Sequence, residues 1–247
     1  YTSNDYIKSK LAKYLRSYII SSLYADVIII TSFIEGFADN CLIEIDDISN
    51  TKIVSIFYDL IPFLNPDLYL NKNPEFRKFY QKKLKDLTKL DGLLAISNSS
   101  AIEASKFLEI ENNRVFNISS ACDQSIFNLG KNMDSSEGYL ADEMGPFLLY
   151  TGAGDPRKNL KGLLKAYSML SLKLSKYKLV LVGKLLDSER VLIDNWINLY
   201  GINPRNIIKT GYISDEELVN FYRTCELFIF PSFHEGFGLP VLEAMCC

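Results

Sequence analysis

"PFLLYTGAGDPRKNLKGLLKAY", residues 146–167, changes its periodicity at the midpoint. A short apolar run, PFLLYT, has the length of a buried strand. Glycines 152 and 154 follow, and apolar residues then recur at helical spacing through NLKGLLKAY. Strand, glycine turn and helix make up one repeating unit of a parallel α/β sheet. The unit recurs downstream. YKLVLVG leads to SERVLIDNWINLYG, a helix ended by Gly201; NIIKTGY leads to SDEELVNFYRTC, whose Ser214 and Glu217 have capping-box spacing; and LFIFPS leads to a helix opening at PVLEAM.

The first half of the chain has the same grammar. A helical stretch, NDYIKSKLAKYLRSYIISSLY, with Asn4 or Asp5 as cap, precedes the strand DVIIITS. TKIVSIFYDLIP is a strand ended by Pro62, followed by the helix NPEFRKFYQKKLKDLTKL with Pro74 in its first turn. DGLLAIS leads to NSSAIEASKFLEI, with serine caps and Glu103 placed for a capping box, and NRVFNIS closes the half. Between the halves, NLGKNMDSSEGYLADEMG is rich in Gly, Ser, Asp and Asn, as linkers are. The expected fold is α/β: two Rossmann-like, doubly wound parallel-sheet domains, at residues 1–128 and 146–247, joined by a linker at 129–145. Right-handed crossovers place all strand carboxyl ends of a domain on one edge, so a cleft between the two domains is the expected active site.

Composition narrows the function. The net charge of −3 over 247 residues gives no field favouring nucleic acid. The basic stretch RKFYQKKLKDLTK (77–89) is a solvated helix face or a contact for an anionic membrane or acceptor surface. The longest apolar run, ADVIIITSFI, is far short of the roughly 18 residues of a membrane span, and no signal peptide is visible. Five cysteines (41, 122, 225, 246, 247), odd in number and without C-x-x-C spacing, favour neither a disulfide framework nor zinc and fit a reducing, cytoplasmic setting. The chain begins at Tyr1 without Met and stops just inside a helix, so a fragment truncated at both ends is expected.

The residues after each second-half strand carry the chemistry. Gly152 and Gly154 allow close backbone approach, and Arg157 and Lys158 stand at a helix start, where amides and cations together suit a phosphate; the alternative is a glycine loop with solvated basic residues. The loop is neither a P-loop nor G-x-G-x-x-G. Gly183 and Gly211 end the next two strands, as plain turns or as part of one glycine-lined edge. After the fourth strand, Gly236 and Gly238 free the backbone, Pro240 suits the first helical turn, and Glu243 is placed in that turn, with Glu235 before the glycines. A carboxylate on each side of the turn suits the hydroxyls at the two ends of an elongated ligand. The alternatives are a charge stabilising a helix N-terminus for Glu243 and an exposed loop acid for Glu235.

PSFHEGFGLPVLEAM resembles the E-x7-E signature of the retaining family 4 glycosyltransferases, which have the GT-B fold, and YTGAGDPRKNLKGLLKAY resembles the start of their donor domain. FYDLIP, SFIEGF and LLAISNSSAIEA resemble the acceptor domain of the bacterial O-antigen and mannosyltransferase-like branch. The resemblance implies transfer of a sugar from a nucleotide-diphosphate donor to an acceptor hydroxyl, with retention and without a metal or other cofactor. It implies Lys158 on the diphosphate, Glu235 on the sugar hydroxyls near the reacting carbon, Glu243 on the ribose, the amides of Gly236, Phe237, Gly238 and Leu239 on sugar and phosphate, and Gly211, Tyr212 and Ile213 along the base. Mannose from GDP-mannose is the branch-level expectation, with a glycan or polyprenyl-linked acceptor and peripheral contact with the inner face of the membrane.

Two departures qualify the match. Many members have Arg where this chain has Ala153, leaving Arg157 as a substitute. Many have a first-domain histidine near the scissile bond, whereas the only histidine here is His234, read as structural or sugar-contacting. Asp59 occupies about that place, as a catalytic carboxylate or as a cap of the turn at Pro62. Glu35 is a weaker candidate for acceptor contact. Alternative readings are a GT-B sugar-nucleotide epimerase, a glycogen-synthase-like enzyme, or a non-catalytic sugar-nucleotide-binding remnant.

Overall fold

A computed structural model of the chain describes residues 3–38, 51–130, 144–152, 154–170 and 176–247. It divides into two units, Tyr1–Ser120 and Ala121–Cys247, and each contains a four-stranded sheet whose strand pairs are all parallel.

The first unit runs α1 (Ser3–Ser21), β1 (Val27–Ile30), β2 (Lys52–Phe57), α2 (Ile61–Leu64), α3 (Pro66–Tyr69), α4 (Pro74–Leu87), β3 (Gly92–Ala95), α5 (Asn98–Phe107) and β4 (Val115–Asn117), with sheet order β1-β2-β3-β4. Alternate residues of β2, Ile53 and Phe57, join Leu93 and Ala95 of β3 in a core closed by Tyr80, Leu84 and Leu87 of α4 and Ala104 of α5. Asn73 caps α4 by accepting from the Phe76 amide at 3.0 Å, immediately before Pro74.

The second unit runs β5 (Phe147–Thr151), α6 (Leu160–Ser168), β6 (Lys178–Val182), α7 (Asp187–Leu199), β7 (Ile207–Gly211), α8 (Asp215–Thr224), β8 (Leu227–Phe228) and α9 (Leu239–Cys246), in the order β7-β6-β5-β8. Both faces of this sheet are covered, which explains why its strands read as continuous apolar runs. Tyr150, Leu179 and Leu181 pack with α6 and α7 through Leu160, Leu164, Ile193 and Ile197. Their neighbours Phe147, Leu149, Val180 and Val182 point the other way, to Val219, Phe221 and Tyr222 of α8. The Ser214–Glu217 capping box that starts α8 is present as expected.

Five expectations are corrected. The boundary between the units lies at Ser120/Ala121 and not after residue 128, because Phe127 is buried in the second unit's core and Cys122 packs against it. Strand β2 stops at Phe57 and does not run on to Pro62, because the short helix α2 already begins at Ile61 with Pro62 in its first turn. Glu103 makes no capping box: Ser97 is the cap of α5, so Ser100 takes the third helical position, and the Glu103 carboxylate accepts from the Leu60 amide at 3.3 Å. Glu243 lies beyond the first turn of α9, because the helix already begins at Leu239. The basic face of α4 is not wholly solvated: Lys83 is buried, with its ammonium 5.3 Å from the Phe33 ring and 5.4 Å from the Phe79 ring. Most of the expected linker, residues 131–143, lies outside the described residues.

Leu149 is fully buried on the α8 face and Leu199 is 70% exposed at the end of α7. Leu149→Ala is expected to cost about 2–5 kcal/mol in denaturant unfolding, and Leu199→Ala less than about 0.5 kcal/mol. Similar losses at the two sites would contradict this packing.

Candidate functional site

In the second unit the chain leaves β5 through α6 to β6 on one side, and later returns through α8 to β8 on the other. The loops after β5 and β8 therefore diverge from adjacent strands at the point where strand order reverses, the place where open parallel sheets bind ligands. Pairing of Leu148 with Leu227 and Leu149 with Phe228 holds the two strand ends side by side. Beyond the strands the loops are stitched directly. The Phe233 amide donates to the Arg157 carbonyl at 2.9 Å, and the Asn159 side-chain amide donates to the Pro231 carbonyl at 3.2 Å.

This stitching brings Arg157, Lys158 and Glu235 together. Lys158 Nζ donates to Glu235 Oε1 at 2.8 Å, and Arg157 Nη1 to Glu235 Oε2 at 2.5 Å and to the His234 carbonyl at 2.7 Å. The three side chains are only 14–20% exposed. Burial pushes the Glu235 carboxyl up, but the hydrogen bonds from Lys158 and Arg157 outweigh it and hold the group below its ordinary value. The Lys158 ammonium also lies 4.9 Å from the centre of the Phe230 ring. Asp155 sets up the turn that presents both cations: it accepts from the Arg157 amide at 2.9 Å, and the one-turn 3-10 helix Pro156–Lys158 follows.

Gly152 makes room for this arrangement. It has φ +151°, and a Cβ there would meet the Tyr150 hydroxyl at 3.0 Å and Lys158 Cγ at 3.1 Å, so the lysine stem lies where any other residue would put its side chain. Gly238, at φ +93°, turns the chain into α9. Gly183 and Gly211 meet at the ends of β6 and β7, the Gly183 amide donating to the Gly211 carbonyl at 3.1 Å. Of the residues beside them, Tyr212 is 83% exposed and Ile213 packs against the α8 face core.

Glu243 sits apart from the ion pairs, on α9, and accepts from the Tyr222 hydroxyl at 3.2 Å. Burial raises its pKa, against the opposing effect of that hydrogen bond. The two glutamates of the tail thus titrate in opposite directions: two cations hold Glu235 ionised, while Glu243 faces one phenol. Gly236, Phe237 and Leu239 lie in or next to the turn between them. A cavity of about 540 Å³ flanks the loop on another side, lined by Asp155, Asn159, Lys161, Trp196, Tyr200 and Phe233 among others, and neither Lys158 nor Glu235 lines it.

In the first unit Asp59 and Glu35 line one cavity of about 280 Å³, with Tyr58 and Tyr80. Asp59 follows β2 and accepts from the Ile61 amide at 2.9 Å, the turn-capping bond at Pro62. Glu35 accepts from the Ser32 hydroxyl at 2.7 Å. Asp155, Asn159, Phe230 and Tyr222 were not singled out from sequence. The Asp-Pro pair at 155–156 is a readable turn signal, whereas the partners of the other three come from distant segments. Among the described residues, no group of three or more His, Cys, Asp or Glu could hold a metal ion, and no helix is long and apolar enough to cross a membrane.

The fold and the loop pair define a class. Residues 133–247 match the family described as glycosyl transferases group 1, and the two parallel-sheet α/β domains have the GT-B fold. Anabaena HepE, solved in complex with UDP, superposes with a TM-score of 0.63 at 17% identity over 80% of this chain and 51% of that one. Among curated proteins, the chain is 37% identical over 247 residues to the serotype-specific mannosyltransferase WbdA of Escherichia coli, covering 97% of this chain and 30% of that protein. It is 30% identical over 200 residues to the O-antigen chain mannosyltransferase B of Escherichia coli, covering 79% of this chain and 51% of that protein. The chain therefore spans about a third to a half of the length of these relatives.

The low pKa of Glu235 has a testable sign. Its folded value lies below the ordinary 4.5, so the stability it contributes is present above that pH and is lost as the pH falls through the folded value. The stability difference between the wild type and Glu235→Gln, measured by urea unfolding from pH 7 down to pH 3, is expected to shrink below pH 4.5. A difference independent of pH would remove the ion pairs from the account.

Proposed function

We propose that the chain belongs to a retaining mannosyltransferase of O-antigen or related surface-polysaccharide synthesis, moving mannose from GDP-mannose to a hydroxyl of a glycan or polyprenyl-linked acceptor. The observation that carries the reading is the meeting of Lys158, Arg157 and Glu235 at the strand-order reversal of a glycosyltransferase domain. The mannosyltransferase names of two relatives support the sugar, and the nucleotide bound by HepE supports a nucleoside-diphosphate donor.

In this reading Lys158 and Arg157 bind the donor diphosphate and Glu235 the sugar hydroxyls next to the reacting carbon. The 2.8 Å between Lys158 and Glu235 suits the junction where sugar meets phosphate. The amides of Gly236, Phe237, Gly238 and Leu239 meet sugar and phosphate, with His234 beside them. Glu243 takes the ribose hydroxyls, and Gly183, Gly211, Tyr212 and Ile213 line the base. As the bond between the anomeric carbon and the diphosphate oxygen breaks, negative charge grows on the leaving group. Cations held ready by buried partners stabilise that charge, typically by a few kcal/mol per donor. The acceptor oxygen attacks from the face the diphosphate leaves, which retains configuration. Asp59 and Glu35 of the first unit hold the acceptor hydroxyl, the reaction uses no metal, and the exposed lysines of α4 touch the inner face of the membrane.

The test uses the full-length protein with a panel of nucleotide sugars and a mannosyl acceptor, the product anomer being read by NMR. GDP-mannose is expected to give an α-linked product, and Lys158→Ala to lower turnover about 100-fold with unchanged circular dichroism. Near wild-type transfer by that variant would overturn the role of Lys158, and release of an epimerised nucleotide sugar would replace transfer with isomerisation.

A further inference from the structure

Four cysteines lie among the described residues, all in the second unit, and all four are free thiols. Two of them meet. The sulfurs of Cys122 and Cys246 are 3.3 Å apart, although the residues are 124 positions apart in sequence. Cys122 is in the segment that leads into the second unit, and Cys246 is the last residue of α9. A disulfide bond is about 2 Å long, so closure asks the sulfurs to approach by about 1 Å. Both side chains are partly exposed, which admits a small oxidant, and both pack against the α8 face core, which holds them in place. The neighbouring Cys225 is differently placed: its thiol donates to the Tyr222 carbonyl at 3.3 Å.

We propose that Cys122 and Cys246 form a thiol–disulfide modification site, taking a low-molecular-weight disulfide of the glutathione class as co-reactant. One thiolate attacks the small disulfide, forming a mixed disulfide and releasing one small thiol. The second cysteine's thiolate then attacks the protein sulfur of the mixed disulfide, forming the Cys122–Cys246 bond and releasing the second small thiol. Two electrons and the two cysteine protons pass to the oxidant, which leaves as two thiols. The bond ties the end of α9 to the lead-in segment. Glu243 lies three residues before Cys246 on the same helix, so the tether restrains the helix that carries this carboxylate. The inference rests on the sulfur geometry and is independent of the function proposed above.

The experiment titrates the full-length protein with oxidised glutathione, maps cross-links by mass spectrometry, and follows hydrogen exchange. The expected result is a Cys122–Cys246 link that dithiothreitol reverses. It is absent in Cys122→Ser and in Cys246→Ser, and present in Cys225→Ser and Cys247→Ser. Exchange of the α9 amides is expected to slow at least threefold on oxidation in the wild type and not in Cys122→Ser. Circular dichroism of each variant confirms that its fold is intact. Stable mixed disulfides without a cross-link, a link that survives Cys246→Ser through Cys247, or α9 exchange unchanged by the link would each overturn the proposal.

Discussion

Parallel strands cannot be joined by a tight turn, so every strand in each sheet of this chain ends on the same edge as its neighbours. In the second unit that constraint acts together with a reversal. Strand β5 is flanked by β6 on one side and by β8 on the other, and the two connections leave in opposite directions. The loops after β5 and β8 are thus forced to lie beside each other at the sheet edge, where they hydrogen-bond to one another. The meeting of Arg157 and Lys158 with Glu235, across 77 or more positions of sequence, follows from the pairing of just two residues of β8 with β5.

Two adjacent cations at the start of a helix repel each other and are costly to shield from water. Glu235 offsets that cost, its carboxylate taking one hydrogen bond from each. The turn capped by Asp155 and the missing side chain at Gly152 hold both cations in a single geometry. The arrangement is preorganised for an anion, because any negative charge that arrives finds donors already oriented. Eight residues further on, Glu243 is of the same residue type in a contrasting environment, with burial and a tyrosine hydroxyl around it. Residue type alone therefore does not set the behaviour of either carboxylate.

The first unit shows how a local bond and a site can share one residue. Asp59 caps the turn into α2 through the Ile61 amide, and it also lines a cavity with Glu35. Asp59 is a sequence candidate through its place after a strand, and Glu35, in SFIEGF, is a weaker one. The cavity that joins them depends on Phe33 from the segment after β1 and on Tyr80 and Leu87 of α4, and no spacing along the chain announces it.

How much was legible in the sequence follows from the range of the interactions. Strand and helix alternation, the Ser214–Glu217 box and the turn residues were readable, because periodicity and capping act within a few residues. Errors arose where a distant partner decided: Glu103 left its expected box for the Leu60 amide, Lys83 was buried between two phenylalanines, and Phe127 drew the domain boundary back to Ser120. The residue types of the candidate site, two cations after one strand and two glutamates around a glycine turn after another, are properties of the sequence by itself. That Glu235 belongs to Arg157 and Lys158, that Glu243 belongs to Tyr222, and that Cys122 touches Cys246 was decided only by the tertiary structure. Side-chain hydrogen bonds and sulfur contacts act over about 3 Å, and only the packed sheet brings such distant segments within that distance.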